Sequence, residues 1–185
     1  MRRMKKKTHM DLQFSLHLCF NMKNRDKRYF IVFLIIFALT VQTELTRGDE
    51  ISIIVNKANP IVSISFNELV KIFKRERQFW KDGKKVYIIM QEAGSMEKEI
   101  ALKKIYKMDH GSLKKFWIER IFRGEISSFP IVLSSNDAVK MFVSQISNAI
   151  GFINADTLDG SVKALKIDGR LPGTEGYILI GKERE

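Results

Sequence analysis

The sequence predicts an α/β domain: a mixed, mainly parallel sheet covered by helices. Three observations lead there. Short, continuous apolar runs recur at residues 51–55, 86–90, 131–133, 149–153 and 162–167, and such runs suit strands buried on both faces. Between them lie segments whose apolar residues return every three or four positions, the pattern of a one-sided helix. Strands that alternate with helices pack as one sheet with helices on its faces.

Each element has its own signal. The run 51–55 is followed by a loop through Pro60. Ser65-Phe66-Asn67-Glu68 has the form of a capping box, in which Ser65 accepts from the Glu68 amide and Glu68 reaches back. Phe66, Leu69, Val70 and Phe73 then give the apolar stripe of a helix. Lys81-Asp82-Gly83-Lys84 is turn chemistry before the second strand. Gln91 to Ser95 is a loop that opens a helix, with Ile100, Ala101, Lys104, Ile105 and Met108 at helical spacing. Gly111-Ser112 is expected to stop that helix and cap the next. The apolar face of this next helix is Leu113, Phe116, Trp117 and Ile121, and its stop is Gly124. Ser134, with Asp137 three residues on, is expected to start the helix that carries Val139, Phe142, Val143 and Ile146. The last two strands are joined through Asp159-Gly160. Beyond Asp168 the chain turns polar and glycine-rich, a C-terminal tail of 169–185 in which Tyr177 to Ile180 is a candidate edge strand. The aromatic residues fall at helical core positions, which makes them packing groups and not a stacking platform for bases.

Residues 1–47 read as a signal-peptide region and 48–168 as the folded domain. Residues 30–39 are uncharged and apolar, and they follow the basic cluster Lys23, Arg25, Lys27 and Arg28. Small and polar residues that include Ala38, Thr40, Gln42 and Thr43 come at and after the end of the run. This is the order of a secretory signal. A helix needs about 20 apolar residues to span a hydrocarbon core, and this run has half that. Met22 is a second candidate start, since it gives the signal an ordinary basic beginning and leaves Cys19 out of the product. Cleavage falls at Ala38-Leu39-Thr40 or further on, near Thr43. The protein is therefore expected to be exported and periplasmic; the alternative is an anchor to the inner membrane by an uncleaved 30–41 segment, the only membrane association expected.

Charge and composition exclude several classes. The formal net charge is +11, but ten of the 32 basic residues and three of the 21 acidic ones precede residue 48. The remainder carries a net +4, too little for a nucleic-acid surface, and no nucleic acid is expected as a partner. After residue 48 there is no cysteine and one histidine, His110. Disulfides and zinc sites built from His and Cys are thereby excluded. No acid–base pair, nucleophile pair or metal cluster stands out, so the chain reads as a non-enzyme without cofactor.

In an open α/β sheet, ligands bind at the carboxyl ends of strands, where helices begin. Gly94 and Ser95 sit at such a position after the second strand, and Ser134-Ser135-Asn136 at another after the third. Free amides of a first helical turn form a natural anion site. Each of these segments can equally be a simple helix cap.

Asn59-Pro60, the segment from Ser65 to Phe73 and Phe79-Trp80-Lys81-Asp82-Gly83 together resemble the substrate-binding proteins of phosphate ABC transporters. The similarity continues at Gly124-Glu125, through 134–142, and into Asn148-Ala149-Ile150-Gly151-Phe152, spanning about residues 51–168. The resemblance implies one lobe of a type 2 periplasmic-binding fold, in a chain about half the size of the two-lobed family. It also implies a ligand set of Gln91, Gly94, Ser95, Ser134 and Ser135. Gly94 and Ser95 match the central Gly-Ser of the family's phosphate loop, while Gln91 stands at its arginine, Met96 at its second glycine and Glu97 at its first threonine. Glu92, Glu97 and Glu99 crowd the helix start, where carboxylates complement the helix dipole and repel an anion. At about 5 Å each opposes a phosphate charge by roughly 1 kcal/mol at water-like dielectric, and by several times that in a drier site.

The expected function is that of an exported, non-catalytic binding protein similar to the phosphate receptors, with a weakened anion site. Its expected partners are phosphate or another small anion, and an envelope protein or ABC transporter. Two alternatives stand beside it: a true phosphate receptor, and an envelope adaptor or scaffold that binds a protein partner and no phosphate.

Overall fold

The computed structural model describes residues 49–181. The apolar segment 30–39, its basic flank and Met22 lie outside the described residues. The strands are β1 (Ile51–Val55), β2 (Ser63–Ile64), β3 (Tyr87–Gln91), β4 (Ile131–Leu133), β5 (Ala149–Asn154), β6 (Lys163–Ala164) and β7 (Lys166–Ile167). The helices are α1 (Phe66–Phe73), α2 (Met96–Ala101), α3 (His110–Phe122) and α4 (Asn136–Gln145).

Five strands form one sheet in the order β4-β3-β5-β1-β6. β3 lies parallel to both β4 and β5, and β1 is antiparallel to both β5 and β6. β1 alone therefore runs against the others, and the sheet is mixed and mainly parallel. β2 and β7 pair separately, in parallel.

The apolar runs are continuous because both faces of the sheet are covered. Successive residues of one strand enter different cores: Ile53 joins the larger cluster and Ile54 the smaller. The larger core packs Ile53, Met90 and Phe152 of the sheet against Leu69 and Phe73 of α1, Ile100 of α2 and Leu113 and Trp117 of α3. The smaller packs Ile54, Ile89 and Ile153 against Val139 and Val143 of α4. Gly151 permits this second contact: a Cβ there would lie 3.0 Å from Val139 Cγ1 and 3.3 Å from Ile89 Cβ.

The capping box forms as the sequence predicts, with Ser65 accepting from the Glu68 amide and Glu68 accepting from the Ser65 amide. Trp117 is buried with its ring edge-on to Tyr106, 6.1 Å between centroids. Gly124 ends α3 at φ +70°, as expected of a helix stop.

Several boundaries differ from expectation. The helix expected to run on to Met108 widens after Ala101 into a turn of π-helix, Leu102–Tyr106, and stops at Lys107 in the left-handed region. The wider turn lets Leu102, Ile105 and Tyr106 all reach the core. Gly111-Ser112 does not separate the two helices. Asp109 is the cap of α3, accepting from the Ser112 amide at 2.7 Å, so the helix begins before Ser112 and that serine lies within its first turn. Ser135, not Ser134, caps α4. The run 162–167 breaks at Leu165 into β6 and β7, which serve different sheets. The 177–180 segment forms no regular strand; it makes an isolated bridge between Glu50 and Ile180, while Tyr177 and Leu179 are buried in the larger core. Among the described residues, no helix is long and apolar enough to cross a membrane.

Candidate functional site

The parallel strands β3, β4 and β5 end side by side, so their carboxyl ends gather Gln91, Ser134 and Asn154 at one edge of the sheet. Gln91 stands opposite Leu133 in the β3–β4 register, and the Glu92 amide donates to Leu133 O at 3.1 Å. α2 and α4 both begin here. The two loops that carry the sequence-derived site residues are thus neighbours.

Asn136, the first residue of α4, is the hub. Its carbonyl Oδ1 accepts from Gln91 Nε2 at 2.6 Å and from the Asn154 amide at 2.9 Å. Its Nδ2 donates to the Glu97 carboxylate at 2.8 Å. Gln91 and Glu97 are 2% and 6% exposed, while Asn136 and Asn154 are half-buried. Two strand ends, of β3 and β5, and two helix starts meet through this one amide.

Two of the three hydroxyls expected at the site are helix caps. Ser95 caps α2: its Oγ accepts from the Lys98 amide at 3.2 Å and donates to Glu92 O at 3.1 Å. Ser135 caps α4, accepting from the Ala138 amide at 3.1 Å. Ser134 is exposed. Gly94 sits at φ +88° with no atom within 4 Å of an added Cβ, so the turn requires glycine for its conformation and not for close approach.

The three glutamates of the loop separate. Glu92 is exposed, and Glu99 turns outward to His110 Nε2 at 2.5 Å. Glu97 alone turns inward. Its carboxylate lies in the first turn of α2, where the helix dipole favours negative charge, and takes its side-chain hydrogen bond from the first residue of α4.

Asn136 was legible only as the third residue of a capping segment, and Asn154 not at all. Their common signal is a polar amide at the end of an apolar strand or the start of a helix. Among the described residues, no group of three or more His, Cys, Asp or Glu side chains is placed to hold a metal ion.

Solved structures share this architecture. One is an ABC-type phosphate transport receptor from Vibrio cholerae, at TM-score 0.55 and 23% identity, covering 68% of this chain and 49% of that one. A candidate phosphate ABC transporter substrate-binding protein from Clostridium perfringens, solved with bound phosphate, matches at TM-score 0.55 and 21% identity over 68% and 48%. The chain has the fold of about half a phosphate ABC-transporter substrate-binding protein. PstS from Borrelia burgdorferi agrees, at TM-score 0.53 and 19% identity over 68% and 50%. The chain thus spans about half the length of the solved phosphate-binding proteins it matches. No protein-family model matches the sequence, and no curated protein does.

Proposed function

We propose that this chain is an exported, non-catalytic binding protein of the phosphate-receptor type whose anion position is filled by its own carboxylate, Glu97. The observation that carries the reading is the 2.8 Å hydrogen bond from Asn136 to the buried Glu97 carboxylate, beside the carboxyl ends of β3, β4 and β5. A phosphate entering there would face a fixed negative charge. It would also find Gln91, already bonded to Asn136, in place of a guanidinium. Ser95 would have to give up its bond to Glu92 O to donate to it. Phosphate binding is accordingly weak, millimolar at best.

The same buried carboxylate favours a second reading, an envelope adaptor that binds a protein partner and no phosphate. Calorimetric titration of the purified protein with phosphate and sulfate at low ionic strength tests the first reading. Heats that saturate in the millimolar range support a weakened receptor. Absence of any heat favours the adaptor, and micromolar phosphate binding defeats both.

A further inference from the structure

A cavity of about 340 Å³ lies between α3 and the β3–β4 edge of the sheet. Its walls are largely apolar and include Leu113, Trp117, Phe129 and Val132. The charged groups on its lining are basic, Lys98 and Lys114, accompanied by His110; no acidic residue lines it. His110 is engaged by Glu99.

Lys98 is the unusual member. It is 8% exposed, and the side-chain contact its ammonium makes is to the Met90 thioether sulfur, at 3.6 Å. Thioether sulfur is a weak acceptor, and lysines are seldom buried without a paired charge. Glu99, the neighbouring carboxylate, is turned away to His110 at 2.5 Å. A buried cation with three donors therefore meets a cavity that offers it no anion.

The complement of such a cavity is an anion on an apolar body. Its volume is at the lower end of the range for small-molecule sites, about 300–1,000 Å³. Phosphate suits it poorly, because apolar walls give nothing in exchange for the hydration of a multiply charged ion. A carboxylate carries one charge, meets a lysine well and can be attached to a ring or branched chain that fills the rest. We propose that this cavity binds a small hydrophobic carboxylate, with its head group on Lys98 and its apolar part against Leu113, Trp117, Phe129 and Val132. Burial holds the Lys98 amine down at about 8, partly opposed by Glu99, and a bound carboxylate would raise it again. The site adjoins the Glu97–Asn136 network through Gln91, which lines the cavity, but does not depend on what that network binds.

Titration of the purified full chain with benzoate tests this, read by calorimetry and by the fluorescence of Trp117 in the wall. Benzyl alcohol serves as the uncharged analogue and inorganic phosphate as the head group without the body. Benzoate should bind saturably, and benzyl alcohol and phosphate at least about tenfold more weakly, the effect of one charge-assisted hydrogen bond. Lys98→Met, with its fold checked by circular dichroism, should lose about the same tenfold. No saturable signal with benzoate up to about 10 mM overturns the proposal, because binding weaker than that is not specific. Equal affinity for benzyl alcohol or phosphate, or an unchanged Lys98→Met variant, overturns it as well. The ligand comparison on the natural chain decides the matter even if that variant does not fold.

Discussion

Asn136 Nδ2 donates to the Glu97 carboxylate at 2.8 Å, and this bond joins the first turn of α4 to the first turn of α2. The same amide's oxygen takes the Gln91 side chain and the Asn154 backbone. Removing one residue therefore leaves several buried polar groups without partners.

Asn136→Ala should destabilise the domain by about 1 to 3 kcal/mol, the cost of leaving buried groups unsatisfied. Adding Glu97→Gln should recover part of that loss, since the orphaned charge is the most expensive of them. Urea unfolding of the single and double variants makes the comparison. A loss below about 0.5 kcal/mol would mean that solvent reaches the network and replaces the amide.

Gly151 lies under α4, with Val139 Cγ1 3.0 Å from where a Cβ would stand and Ile89 O 3.4 Å away. Gly151→Ala should cost about 1 to 3 kcal/mol by overpacking. Val139→Ala in the same chain should relieve part of the clash, so the two changes together should cost less than their sum. Strict additivity in urea unfolding would place the strain elsewhere.

Much of this architecture was legible in the sequence, for identifiable reasons. β1 and β5 read as buried strands because nothing polar interrupts Ile53-Ile54-Val55 or Ile150-Gly151-Phe152. The α1 cap was legible because Ser65 and Glu68 act within four residues of each other. What failed was competition between local choices. Asp109 and Ser112 can both cap a helix near that point, and only the folded path of the chain decides. Either Ser134 or Ser135 could cap α4, and β4 ends where Ser135 wins. The site was half legible: its position at the strand ends follows from topology. The Gln91–Asn136–Glu97 chain does not, because it joins residues up to 45 positions apart.

Lys98 gives the protein a specific pH dependence. Its amine is lowered to about 8 in the folded state, against about 10.4 in an unfolded chain. Below pH 8 both states hold the proton, and the folded state bears the full cost of the buried charge. Between about pH 8 and 10.4 the unfolded chain binds more protons, so this contribution to stability rises with pH. Lys98→Met should thus be more stable than the natural protein at pH 7, by about 1 to 2 kcal/mol after allowance for water reaching the amine through the cavity. The difference should shrink toward pH 10.4. Urea midpoints of both proteins across this range test it. Lys114 and His110 line the same cavity and are common to both proteins; Glu99, which partly opposes the lowering of Lys98, reduces the difference without changing its direction. A gap that is constant or widens with pH would show that Lys98 is not the group responsible.

The central claim is that Glu97 and the lost guanidinium close a phosphate-type site that the fold otherwise supplies. Gln91→Arg with Glu97→Thr removes the internal carboxylate, frees Asn136 Nδ2 and places a bidentate donor at the end of β3. Calorimetric titration with phosphate at low salt, natural protein beside the double variant, tests it most directly. The expected result is millimolar binding or none in the natural protein and an affinity at least about tenfold higher in the variant, since a charge-assisted hydrogen bond contributes roughly 1.5 to 3 kcal/mol. Micromolar phosphate binding by the natural protein, or a folded double variant with no gain, would contradict the claim.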